Sequence, residues 1–154
     1  MVRIADLHPM KRKGIENWRC PSFGDDHWVP RRPLAQRKIT IITSAALITR
    51  DERPFLPIDG RYRPIPDSVA KKDILMSHVS VNFDRTGFQR DLNCVFPRDR
   101  LHELADAGII GAVADTHYAF QGGTEKPKRF EPYASKLAAK LKADGVDTAL
   151  LVPV

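Results

Sequence analysis

The feature that most constrains the fold lies near the end of the chain. Phe130, Ala134, Leu137, Ala138 and Leu141 recur at helical spacing and predict a helix from about Glu131 to Ala143. Gly145 is its natural stop. Val146 to Val152 then reads as an apolar, buried strand. The same rhythm appears earlier. Lys38 to Thr43 is short, β-branched and apolar and reads as a buried strand, and Ile74 to Val81 reads as a second strand ending near His78. Pro97 to Ala107 reads as a helix with Leu101, Leu104 and Ala105 on its apolar face, stopped by Gly108. Ile109 to Phe120 reads as a strand running into a turn at Gly122-Gly123. Strands alternating with helices predict an α/β fold with a mostly parallel sheet, flanked by helices. No helix follows Val154 to cover the last strand, so the domain reads as incomplete.

The first 37 residues follow another pattern. Pro9, Pro21, Pro30 and Pro33 interrupt any long element, and periodicity is weak. We read residues 1–37 as an extended N-terminal arm and residues 38–154 as the α/β domain. Residues 50 to 72 contain Pro54, Pro57, Pro64, Pro66 and Gly60 and read as one long loop, a length that usually carries function or disorder.

Composition narrows the class of protein. Hydrophobic residues make up 42% and charged residues 29%, an ordinary globular balance. No run approaches the roughly 18 apolar residues that a membrane span needs, and Met1 to Lys13 lacks an apolar signal core. A cytoplasmic protein without membrane contact is expected. The net charge of +6 is scattered, and no nucleic-acid-binding motif accompanies it, so no nucleic-acid partner is expected. Cys20 and Cys94 are too far apart in sequence for a paired zinc spacing, and Cys94 reads as a small buried residue. Asp25-Asp26-His27 has the composition of a metal cluster without converging geometry, and no metal is expected. Trp18, Phe23 and Trp28 read as anchors of the arm.

Ligands of open α/β sheets bind outside the carboxyl ends of the strands. Ser44, in the small-residue run after the first strand, is therefore a candidate for substrate binding. His78 and His117 fall near predicted strand ends, where an imidazole can bind a carboxylate or move a proton; the bland alternative is a hydrogen-bonded structural histidine. Asn93 is a turn residue or a substrate contact. Arg53, like Arg50, either attracts a substrate carboxylate or sits in a solvated loop. Asp99 and Arg100 suit helix capping and ion pairing.

Four blocks carry a resemblance. They are Lys38-Ile39-Thr40 through Arg53-Pro54-Phe55; Ser77-His78-Val79-Ser80 with Asp91-Leu92-Asn93-Cys94-Val95-Phe96-Pro97-Arg98-Asp99-Arg100-Leu101; Gly108-Ile109-Ile110-Gly111 leading to Thr116-His117-Tyr118-Ala119-Phe120; and Ala143 to Val154. Together they resemble the glycine/sarcosine/betaine/D-proline reductase family, specifically its selenoprotein B-like subunit, over roughly residues 34 to 154. The resemblance implies a reductase subunit that cleaves C–N bonds of small amino acids or betaines. It implies a selenocysteine or cysteine nucleophile directly after the strand ending at Val154, so none lies within this chain. It further implies a pyruvoyl group on a partner subunit, other reductase subunits, a thioredoxin-like thiol donor, a small amino-acid or amine substrate and a homo-oligomer. The alternative is a non-catalytic binding or assembly module of the same fold.

Overall fold

The computed structural model describes residues 3–17, 32–80, 84–123 and 127–154. The chain divides into two compact units, residues 1–30 and 31–154. The first holds helix α1, Pro9–Glu16. The stretch expected to be extended thus contains a helix of eight residues. Pro9 opens this helix instead of breaking it, because the N–H it lacks would have no helical partner there. His8 caps the first turn, its Nδ1 accepting from the Met10 N–H at 3.4 Å. Trp18, Phe23, Trp28 and the Asp25-Asp26-His27 cluster lie outside the described residues.

The second unit is the α/β body. In chain order it contains β1 (Lys38–Thr43), β2 (Leu47–Thr49), β3 (Arg63–Pro66), β4 (Ile74–Met76), α2 (Thr86–Arg90), α3 (Arg98–Asp106), β5 (Ala112–Val113), β6 (Thr116–Ala119), α4 (Glu131–Ala143) and β7 (Thr148–Val152). β1 is central. It pairs in parallel with β5 and then β6 along one side, and with β7 along the other. β3 adds to the outer side of β6 in antiparallel sense, so the sheet is mostly parallel. Ile39, Ile41, Ile65, Ile110 and Leu101 join Phe96 in the core beneath it.

Three elements differ from the sequence expectation. The long proline-rich loop contains β3, in which Arg63 and Ile65 are buried while Pro64 and Pro66 face out. Prolines are tolerated here because an edge strand needs no N–H on its open side. The second strand is confined to Ile74–Met76 and pairs antiparallel with β2 in a separate two-stranded sheet. β7 is a strand, but Leu150 and Leu151 are 37% and 68% exposed. Among the described residues only β1 pairs with it, so its outer side is open. Cys94 is also exposed, not buried; it ends a 3-10 turn, Leu92–Cys94.

Candidate functional site at the carboxyl edge of the sheet

The carboxyl ends of β1, β6 and β7 converge on Ser44. Its N–H donates to the Val152 carbonyl at 3.1 Å, and its carbonyl accepts from the Gly122 N–H at 2.9 Å. Its hydroxyl oxygen accepts from the Val154 N–H at 2.7 Å. One small residue therefore ties all three strand ends together. Gly122 is required by this closeness: a Cβ there would lie 2.7 Å from the Ser44 carbonyl oxygen. Ala46 then turns the chain away with a φ of +53°, a left-handed angle uncommon outside glycine.

His78 is buried and lies beside this edge. A Cβ placed on Gly123 would be 3.7 Å from His78 Cε1, so the Gly122-Gly123 turn packs along the ring. The Ser80 N–H donates to His78 Nδ1 at 3.2 Å, which puts the ring hydrogen on Nε2. Burial, and secondarily the charge of Arg85, push its pKa below the ordinary value. The ring is thus neutral near pH 7 and can donate a hydrogen bond through Nε2. Gln121, fully buried and not foreseen from sequence, braces the same wall. Its Oε1 accepts from the Gly123 N–H at 3.0 Å and its Nε2 donates to the Ser77 carbonyl at 3.5 Å.

His117 occupies a different place. It lies level with Ile65 in the body of the sheet, fully buried. β1 pairs Ile39 with Val113 and Ile42 with Tyr118, so four residues on one strand oppose two on the other. This bulge displaces the backbone ladder, and the imidazole repairs it. The Ile41 N–H donates to His117 Nδ1 at 3.0 Å, and Nε2 donates to Asp67 at 3.1 Å. Thr40 helps by donating its hydroxyl to the Thr116 carbonyl at 2.8 Å. Burial lowers the His117 pKa, against the opposing pull of Asp67. Asp67 continues outward to His102, whose Nε2 lies 2.9 Å from its carboxylate.

The remaining candidates are held elsewhere. Asn93 spends its amide on Asp91 and Asp99, both at 2.9 Å, while its oxygen accepts from the Asp99 N–H at 3.2 Å. It thereby satisfies a donor at the start of α3. The Arg53 carbonyl accepts from Arg63 Nε at 3.5 Å. Arg50 pairs with Asp73 at 3.2 Å, and Arg100 with Glu103 at 2.6 Å. Ser44 and His78 thus share the carboxyl edge, His117 lies deeper, and Asn93 braces a helix.

The arrangement defines an α/β protein with a mostly parallel sheet, a small hydroxyl residue and a neutral imidazole at its carboxyl edge. Residues 66–154 match the family described as glycine/sarcosine/betaine reductase selenoprotein B, and the chain belongs to that family. The chain is 32% identical to the D-proline reductase subunit gamma of Acetoanaerobium sticklandii over 80% of its length and 52% of that relative. It is 26% identical to the glycine reductase complex component B subunit gamma of Symbiobacterium thermophilum, over 97% of its length and 37% of the relative. The corresponding subunit of Carboxydothermus hydrogenoformans is 27% identical, with 97% and 36% covered. The chain therefore spans about half or less of the length of these curated relatives. No solved structure matches it. No helix among the described residues is long and apolar enough to cross a membrane.

Proposed function

We propose that this chain forms part of a reductase subunit that cleaves a C–N bond in a small amino acid or betaine, working with other subunits and a thiol donor. The family match over residues 66–154 carries the reading, since it covers the helix and strand that deliver Val154 to the carboxyl edge. In this reading Ser44 positions the backbone at Val154, and a selenocysteine or cysteine follows at the next position of the full frame. His78, neutral with its hydrogen on Nε2, donates a hydrogen bond to the substrate carboxylate. His117 acts at one remove by holding β6 against β1. A pyruvoyl group, where the complex has one, belongs to a partner subunit.

The test starts from the nucleotide sequence beyond the Val154 codon. An in-frame UGA or cysteine codon followed by coding sequence supports the reading; a different stop codon at that point defeats it. The full frame is then assayed with its partner subunits for dithiol oxidation dependent on glycine, sarcosine, betaine or D-proline. His78→Ala is expected to weaken substrate binding by about 10-fold or more, the usual contribution of a hydrogen bond to a charged group.

A further inference from the structure

Away from the carboxyl edge, the loop between β2 and β3 and the start of α4 enclose an open cleft of about 290 Å³. Leu56, Ile58, Arg61, Arg129 and Tyr133 line it, with Asp59 at its base. The Asp59 side chain is buried to within 3% and accepts from Arg61 Nε at 2.9 Å, Arg61 Nη2 at 3.1 Å and Arg63 Nη2 at 3.0 Å. Burial raises its pKa, but the hydrogen bonds from Arg61 and Arg63 outweigh this and bring it to about 2. The Asp59 carboxylate is therefore committed, and its task is to hold Arg61 in place.

The positive charge around the cleft exceeds what its carboxylates neutralise. Arg63 is taken by Asp59, by Glu52 at 3.1 Å and by the face of Phe55. Arg61 shares Asp59 with it. Arg129 donates only to the Ile58 carbonyl, at 3.2 Å, and among the described residues no carboxylate pairs with it. Three guanidinium groups thus face two carboxylates. A Cβ on Gly60 would come within 2.4 Å of the Arg129 carbonyl oxygen, so the segments carrying Arg61 and Arg129 lie in direct contact. On the same loop Leu56 and Ile58 stand 60% and 65% exposed. Adjacent aliphatic side chains held in water beside spare cationic donors are the composition of a docking surface.

We infer that this cleft receives a partner polypeptide that directs an Asp or Glu carboxylate at Arg61 and Arg129 and rests flanking apolar side chains on Leu56 and Ile58. The charge excess selects the carboxylate. The openness of the cleft and its apolar rim select a polypeptide over a small anion, which would need to be enclosed. The inference stands independently of the reductase reading.

The test is an NMR titration of the isotopically labelled 154-residue chain with a nine-residue peptide bearing a central Leu-Glu-Leu between Ser and Gly. The expected result is shifts at Gly60, Arg61 and Tyr133. Binding should weaken about fivefold or more when Glu becomes Gln, when Arg129→Gln is introduced, or when Leu56→Ser is introduced. Lys140→Gln, on the far turn of α4, should leave it unchanged. Equal binding of the Gln peptide overturns the proposal, as does the absence of shifts at the cleft. Acetate reproducing the same shifts at the same concentration would show a small-anion site instead. Self-association of the unliganded chain that Arg129→Gln abolishes would make the occupant a second copy and also overturn it.

Discussion

One backbone angle sets the geometry of the carboxyl edge at the residue scale. Ala46 is fully buried with φ +53°, a conformation that costs an L-residue about 1–2 kcal/mol. Two bonds hold it there. Its N–H donates to the Phe120 carbonyl and its carbonyl accepts from the Ser77 N–H, both at 2.9 Å. The strained residue thus joins the end of β6 to the segment carrying His78. Ala46→Gly relieves the strain and is expected to change stability by less than about 1 kcal/mol. Ala46→Val adds volume to a filled site at an angle β-branched residues resist, and should cost about 3 kcal/mol. Urea midpoints of the two variants decide it: equal losses would mean that packing of the methyl group matters, not the angle. The place of Ser44 was legible in sequence because the first strand ends just before it; that of His78 was legible only in part, because β4 stops at Met76 and not at Val81. Gln121 was not, since its work is done through the Gly123 N–H and the Ser77 carbonyl, and no spacing rule marks a buried glutamine beside a glycine pair. Asn93 was legible as a turn residue, but its service to the Asp99 N–H depends on where α3 begins.

At the scale of elements α3 and α4 were legible, whereas α1 and α2 were not. α4 spans Glu131–Ala143 as its apolar period requires, and Gly145 closes it with φ +69°. The strands were harder because apolar runs do not reveal interruptions. Ile109 to Phe120 reads as one strand, yet the bulge splits it into β5 and β6, and β3 hides behind two prolines. That bulge makes a direct prediction. The Ile41 N–H depends on His117 Nδ1, so His117→Ala strands a buried donor, at a cost of about 1–3 kcal/mol beyond the lost packing. In hydrogen exchange under native conditions, the Ile41 amide should lose protection more than its neighbours in β1. His117→Gln, which retains an acceptor, should restore part of it. Uniform loss along β1 in both variants would rule out the local repair role and leave only general destabilisation.

At the scale of the whole molecule, pH should act through two imidazoles and, at lower pH, through Asp59, Asp84, Asp91, Asp99 and Asp115, whose hydrogen bonds hold each carboxyl below its ordinary value. His78 and His117 both have pKa values pushed below the ordinary 6.5, in each case chiefly by burial. In the unfolded chain each takes up its proton near 6.5, whereas the folded chain resists protonation until lower pH. Below that value the unfolded state binds more protons, so stability declines as pH falls, by up to about 1.4 kcal/mol per pH unit for each imidazole. The decline stops once the folded-state pKa values are passed. Asp59 acts in a lower window. Its pKa is reduced from 3.8 to about 2, so its contribution is complete above 3.8 and disappears as pH falls toward 2. The net charge of +6 works in the same direction, because each added proton increases self-repulsion. Urea unfolding from pH 3 to 8 should therefore show a plateau above about 7, a fall beginning near 6.5, and a second fall below about 4. His78→Gln removes one of the two imidazole contributions and should make the first fall shallower without moving the second. A profile that is flat between pH 5 and 7 would mean that these rings titrate alike in the folded and unfolded chains. Their burial would then not be keeping them neutral, and His78 could not be assigned as the neutral donor at the carboxyl edge.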